Sequence, residues 1–337
     1  MCLVLCVAPG IQAQYLSIKR DTFLNQYIQK EMIFKTGRLS EEKEIFLNTH
    51  DVLDEEILNM DSQFLQTIDG VGIDKIRILT QYMSFYETPE GSIQSYSLNE
   101  SEKEELLYNL GSKSVNVDEN DNYSDNDDKA TYLKRTMIIA EVVKDNQTKL
   151  ACSFYCRWLT EPSDRLIDIV TLSWKSHEGS FDFREPYGAH YTAIRTETWW
   201  DRDPETGEYE QKTESESHLT DLTDVMTNEI EQTGLCVKFD MYDNYGETVG
   251  FTYHESVFSN HQVYMHFYLS HFNVDSIHFY SKYYQQFSSG GFTIDSIDVS
   301  FSLISGDVSL SISGGYEVDQ YYRTVDIPYL GLYEFSS

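Results

Sequence analysis

Ile297-Asp298-Val299-Ser300-Phe301-Ser302-Leu303, then Ser305-Gly306-Asp307, then Val308-Ser309-Leu310-Ser311-Ile312, set apolar and small polar residues in alternation on both sides of a turn. A β-strand sends successive side chains to opposite faces, so a period of two gives each arm one apolar and one polar face. The spacing predicts an antiparallel hairpin. The same signals recur upstream. Met137–Val143 and Leu150–Tyr155 read as strands joined across Lys144-Asp-Asn-Gln, and Leu166–Trp174 reads as another. Tyr191–Trp200 and Tyr209–Thr213 flank Asp203-Pro-Glu-Thr-Gly-Glu, a hairpin turn by its Pro and Gly content. Leu235–Met241, Phe251–Tyr253, Val263–Leu269 and Ile277–Tyr284 continue the series, and Thr223–Gln232 is expected as a short helix. Many strands at short intervals, most with one polar face, predict a two-sheet β-sandwich or a related barrel.

The N-terminal part differs. Phe23, Tyr27 and Ile28 recur at helical spacing, Ser40 opens a second helix, and Leu53, Ile57, Leu58, Phe64 and Leu65 form a third apolar stripe. From Lys75 to Tyr86 the pattern turns to β, with Ile93–Tyr96 as partner strand across Thr88-Pro-Glu-Gly91. Ser101-Glu-Lys-Glu104 fits a capping box for a helix ended by Gly111. Residues 116–129 carry Asp118, Glu119, Asp121, Asp125, Asp127 and Asp128 with only Tyr123 to bury, the composition of an exposed linker or loop. The chain is therefore read as mostly β with a helical N-terminal segment, α+β overall. Residues 15–115 are helical and then small α+β, 116–129 an acidic linker, and 130–337 an antiparallel β-sandwich.

Residues 1–14 read as a secretory signal peptide: Cys2–Ala8 is apolar and uncharged, Pro9-Gly10 breaks any helix, and Ala13 is a small residue before a cleavage point. The basic residue usual ahead of such a stretch is missing, which is also consistent with a start further upstream. No later segment offers the ~18 apolar residues of a membrane-spanning helix. A secreted or surface-associated protein is the expectation. Asn99, Asn122 and Asn146 head glycosylation sequons in that setting.

The chain has 25 Lys plus Arg against 56 Asp plus Glu, a net charge of −31. Nucleic acid is excluded as a partner, because phosphate contacts need clustered cations. The same charge argues against anionic membrane surfaces as an electrostatic partner. Cys152 and Cys156 share a strand face but lie ~13 Å apart at strand rise, so they cannot bridge each other. Either could pair with Cys236, and the simpler reading is three buried thiols.

Chemical motifs are sparse. The acidic stretch fails the calcium-loop pattern, since Tyr123 stands where Gly is required and Lys129 where Glu is required. His254, His261, His266, His271 and His278 cluster in sequence without the i, i+2 spacing of a strand-borne metal site. No Gly-x-Ser-x-Gly, Gly-x-Gly-x-x-Gly or P-loop occurs, so no catalytic residue, metal or cofactor is assigned. Arg157 and Arg165 around Trp158 suit a corner paired to carboxylates, or an anion clamp.

Trp199-Trp200 is the strongest binding signal. Adjacent strand residues face opposite ways, so only one of the two can enter a core on a regular strand. The expected arrangement is one core Trp and one covered by the acidic hairpin. The functional alternative offers the outer ring to a sugar or a cation. Tyr280 and Tyr284, four apart, could add a platform. A non-catalytic module binding an extracellular glycan or protein through Trp199 and Trp200 ranks first. An extracellular hydrolase with a loop-borne acid/base site ranks second. A pore-forming protein inserting hairpin 292–315 ranks third, since each arm is shorter than the ~9–11 residues a membrane strand needs.

Overall fold

The computed structural model describes residue 47 and residues 62–69, 71–87, 93–113, 131–144, 147–160, 166–176, 180–202, 207–224, 234–250, 252–272, 274–286, 297–301, 308–312, 322–325 and 329–334. In chain order these form α1 (Ser62–Asp69), β1 (Gly72–Glu87), β2 (Ile93–Ser97), α2 (Glu100–Lys113), β3 (Thr131–Lys144), β4 (Gln147–Trp158) and β5 (Ile167–Lys175). Then come β6 (Ser180–Arg202), β7 (Tyr209–Asp221), β8 (Gly234–Asp240), β9 (Tyr245–Val249), β10 (Thr252–Phe272) and β11 (Ser276–Gln286). The last are β12 (Ile297–Phe301), β13 (Val308–Ile312), β14 (Tyr322–Val325) and β15 (Tyr329–Glu334). The protein is mostly β, and its strand pairs are antiparallel.

Several sequence expectations lie outside the described residues: the signal peptide, the first two helices, the acidic stretch 116–129, and the Thr223–Gln232 helix beyond its first residues. The helical N-terminal segment is represented by Leu47 and α1 alone.

Eight strands make the larger sheet, in the order β2-β1-β3-β4-β10-β6-β7, with β9 beside β10. Five make the smaller, β14-β11-β5-β8 with β15 beside β11. β1 pairs β3 from Gly72↔Val143 to Phe85↔Thr131, so residues before and after the acidic stretch share one sheet. β12 and β13 form a hairpin of their own, pairing Ile297 with Ile312 and Phe301 with Val308.

Two apolar clusters sit on opposite faces of the larger sheet. One joins Met137, Cys152, Phe154, Met265 and Phe267 to Val170, Leu172, Val237 and Phe279 of the smaller sheet. Aromatic rings meet across it: Trp158 contacts Phe239 and Tyr283 at 5.7 and 5.4 Å, and Trp174 stacks on Phe267 at 5.2 Å. The other gathers Ile138, Ala140, Tyr155, Tyr264 and Tyr268 under Phe64, Leu65 and Ile68 of α1. With both faces covered, β3 and β4 read as continuous apolar runs rather than alternations.

Arg135, Glu141 and Asp168 are among the ionisable residues buried in this interior. Arg135 donates to the Ser281 carbonyl of the smaller sheet and to Gln81 Oε1, and desolvation lowers its pKa to about 10. Glu141 accepts from the Tyr333 hydroxyl at 2.6 Å, a second bond between the sheets. Asp168 accepts from Tyr283 Oη at 2.8 Å and Gln286 N at 3.0 Å. The Arg135 and Glu141 bonds fix one sheet on the other and the Asp168 bonds tie β5 to β11 within the smaller sheet, because a buried polar group that lost its partner would cost about 1–3 kcal/mol. Cys152, Cys156 and Cys236 are free buried thiols, and burial raises Cys156 to about 12.

α2 departs from the expected cap by two residues. Asn99 Oδ1 accepts from Glu102 N at 3.1 Å, and Glu102 Oε2 accepts from Asn99 N at 2.8 Å. The reciprocal box is Asn99–Glu102, and Gly111 lies inside the helix.

β10 carries the feature that positions the site. Its register against β6 jumps between Ser259↔Ile194 and Gln262↔Thr192, and Asn260 adopts a left-handed φ of 55°. This bulge lets both Phe258 and Val263, even and odd in number, face the inter-sheet cluster. A straight strand would turn every residue from Thr252 to Phe258 to the opposite face. Asn suits the left-handed conformation better than other non-glycine residues, and its Oδ1 accepts from Arg157 Nε at 3.0 Å. Asn260→Val, a β-branched residue at this φ, is expected to lower the denaturation free energy by about 1–3 kcal/mol, while Asn260→Gly loses less. An unchanged urea midpoint for the Val variant would contradict the assigned bulge.

Candidate functional site

Past the bulge, β6, β7, β9 and β10 continue as a four-stranded end of the larger sheet. β7 is exposed along nearly all its length, whichever way its residues point. Residues opposite each other in an antiparallel pair share a face, so the pairings sort the side chains of this end completely.

One face is charged. It carries Arg195, Glu197, Trp199 and Asp201 of β6, opposite Glu216, Glu214, Lys212 and Glu210 of β7. Trp199 also lies opposite His254 of β10, which lies opposite Glu247 of β9. Here Arg195 bridges two carboxylates, Glu197 at 2.8 Å and Glu216 at 2.9 Å. His254 Nδ1 lies 2.6 Å from Glu197, and His218 Nε2 lies 2.9 Å from Glu216. The result is a chain, His254–Glu197–Arg195–Glu216–His218, laid across three strands. Arg195 Nε also donates to Ser256 Oγ at 3.0 Å, and the guanidinium lies 5.6 Å from the Tyr245 ring centre. Trp199 stacks on His254 at 5.3 Å and 7°.

The other face carries fewer charges, and two of them stand among its aromatic residues: Arg202 of β6, opposite Tyr209, and Glu255 of β10. β6 supplies Trp200, Thr198, Thr196 and Ile194, opposite Gln211, Thr213, Ser215 and Ser217 of β7. Thr198 and Thr196 lie opposite Glu255 and Val257 of β10. Hydroxyls link the strands, Thr196 with Ser215 at 3.2 Å and Thr198 with Thr213 at 3.5 Å. Three aromatic residues collect where the strands end: Trp200, Tyr253 and Tyr209, exposed by 54%, 61% and 67%. Tyr253 comes level with Trp200, one position beyond the paired His254↔Trp199. Its ring lies across Gly246 of β9: a Cβ there would stand 1.8 Å from the Tyr253 hydroxyl. The glycine seats the ring flat on the sheet with its other side to solvent.

The tryptophan pair therefore divides between the faces as alternation requires, but neither residue enters the core. Trp199 is half-buried against His254, and Trp200 is exposed. The expected core position is missing because this end of β6 runs beyond the inter-sheet cluster, whose β6 members stop at Ala193. The histidines separate. His261 is buried at the bulge and bonded to Tyr191 Oη, His266 is buried, and His278 lies on β11. No group of three or more His, Cys, Asp or Glu able to hold a metal occurs among the described residues. Tyr284 is buried and so offers no platform with Tyr280. Arg157 is engaged by the bulge, and Arg165 lies outside the described residues. Sequence reasoning missed Tyr253, Gly246 and Tyr209, although β7 displays the face pattern directly: Glu210, Lys212, Glu214, Glu216 and His218 alternate with uncharged residues.

The charged chain has a pH consequence. Hydrogen bonds from His218 and then Arg195 hold the Glu216 carboxyl below its ordinary value. A carboxylate depressed in the folded state stabilises the fold above its unfolded pKa, and that stabilisation is lost as pH falls through the folded value. Glu216→Gln is expected to lower Tm by about 1–2 °C at pH 7, in line with exposed pairs. The gap from the parent should close as acidification takes the pH down through the lowered Glu216 value. A gap that did not narrow on acidification would contradict the assigned pairing.

No protein-family model matches the chain, and no curated protein does. Among solved structures, similarity is found to one described as a pore forming protein, at 7% identity and TM-score 0.24, covering 58% of this chain and 89% of that one. Clostridium perfringens delta-toxin is similar at 6% identity and TM-score 0.23, covering 64% and 82%. The membrane-inserted form of Clostridium perfringens NetB toxin is similar at 6% identity and TM-score 0.19, covering 74% and 94%.

Proposed function

We propose that this protein is a secreted or surface-associated, non-catalytic binding module. In this reading the two sheets form a β-sandwich scaffold, and the four-stranded end beyond the bulge makes the contacts with an extracellular glycan or protein. The observation that carries the reading is the group of solvent-exposed aromatic side chains, Trp200, Tyr253 and Tyr209, on one face of paired strands. Large aromatic rings left in water are costly to expose and rigid enough to bind with little loss of side-chain entropy. Pairing of Trp200 with Gln211 of β7, and of Trp199 beside it with His254 of β10, holds Trp200 on an ordered backbone, the arrangement that favours precise contacts.

The test is retention of the parent and two variants on a panel of immobilised polysaccharides and extracellular proteins. Trp200→Ala should weaken binding by about 30-fold or more, the loss typical of a central aromatic contact, with unchanged circular dichroism. Trp199→Ala, on the charged face, should bind within a few-fold of the parent. Equal retention of parent and Trp200→Ala would overturn the reading, as would a parent that binds nothing.

One observation favours a second reading, insertion of the β12–β13 hairpin into a membrane. The two strands pair only with each other among the described residues, and each alternates apolar with Ser or Asp. A membrane hairpin needs that alternation and freedom from neighbouring strands, with arms of ~9–11 residues. This reading predicts dye release from phosphatidylcholine–cholesterol vesicles, abolished by Val299→Asp. Vesicles that stay sealed at micromolar protein would remove it.

A further inference from the structure

The chain bears a net charge of −31, and charged residues fill alternate positions of β7, yet the face carrying Trp200 is poor in charge, with Arg202 and Glu255 as opposite charges at its aromatic end. Ordinary solvation does not require this, because β7 is exposed on both sides and charges would be equally soluble on either. Segregation of charge to one face of a two-sided exposed sheet leaves the other as a flat array of Thr and Ser hydroxyls ending in aromatic rings. Its apolar content is scattered among those hydroxyls, which suits neither a lipid interior nor the dry centre of a protein interface. Hydroxyl groups that both donate and accept, beside exposed aromatic rings of which Tyr253 lies across Gly246, match a ligand that is itself rich in hydroxyls and has apolar C–H faces.

We infer that the ligand is an uncharged glycan chain, lying across the strand ends with a sugar ring on Tyr253 and another on Trp200. The inference rests on the binding reading above and names the ligand class for the same surface. Strands stand ~4.8 Å apart, so Tyr209 on β7, Trp200 on β6 and Tyr253 on β10 span a few consecutive sugar rings. The acidic remainder of the molecule disfavours anionic glycans through long-range repulsion. A neutral ligand is indifferent to that field. Gly246 acts as a positioning residue: it touches no ligand, but it lets the Tyr253 ring lie flat.

The test is calorimetric titration of the full chain with uncharged hexasaccharides (cellohexaose, maltohexaose, mannohexaose, chitohexaose) and with anionic hexagalacturonate and heparin hexasaccharide. The expected result is binding of at least one uncharged probe, with affinity unchanged between 50 and 500 mM NaCl, where anionic contacts would be screened. Gly246→Ala should weaken that binding about tenfold, close to the loss in Tyr253→Ala. Glu214→Gln, on the charged face of β7, should leave it unchanged. Binding confined to anionic probes, to protein ligands or to phosphatidylcholine vesicles would overturn the glycan class while leaving a binding surface in place. Gly246→Ala with parental affinity would overturn the seating of Tyr253. Absence of binding to every ligand class would overturn both this inference and the reading beneath it.

Discussion

The arrangement depends on β10, a single strand that must satisfy two neighbours at once. One edge pairs with β6 along most of its length, while the other pairs with β4 over Gln262–Ser270 and with β9 over Thr252–Ser256. Period-two alternation would force these two halves to disagree about which residues face the interior. The left-handed Asn260 absorbs the conflict by inserting one residue on one side of the ladder. Everything beyond it inherits its orientation from that one backbone conformation: His254 beside Trp199 on the charged face, and Tyr253 beside Trp200 on the charge-poor one.

The interior explains why the outer end can remain ordered without a core of its own. Two cross-sheet hydrogen bonds, Arg135 to the Ser281 carbonyl and Tyr333 to Glu141, tie the larger sheet to the smaller. α1 closes the opposite face over Tyr155 and Tyr264. The exposed end is an extension of strands already anchored in that packing. Its additional constraints are lateral: strand pairing, the hydroxyl pairs on one face, and the Arg195-centred charge chain on the other.

Much of the strand layout was legible because alternation is local. The β12–β13, β6–β7 and β3–β4 pairs all follow from residues close together in the chain. The rest was missed for separate reasons. The burial of Trp199 or Trp200 depends on how far the smaller sheet reaches along β6, a property of the assembled core and not of the Trp-Trp dipeptide. The roles of Arg135, Glu141 and Asp168 depend on partners 115 to 192 residues away. The β7 pattern was visible in the sequence, but it alternates charged with uncharged polar residues, so a scale of hydrophobicity averages it away. The seat of Tyr253 on Gly246 required the β9–β10 register, and a glycine between Tyr245 and Glu247 reads locally as a turn or a weak strand position.

Division of the outer sheet into a charge-rich face and a charge-poor, ligand-facing one is the central claim. Its most direct test is fluorine NMR of the chain with its 4 tryptophans replaced by 5-fluorotryptophan, titrated with the uncharged hexasaccharides. The account predicts that the Trp200 resonance shifts saturably while those of buried Trp158 and Trp174 stay fixed and Trp199 moves little. A titration that shifts Trp199 and leaves Trp200 in place would put the ligand on the charged face and contradict the account.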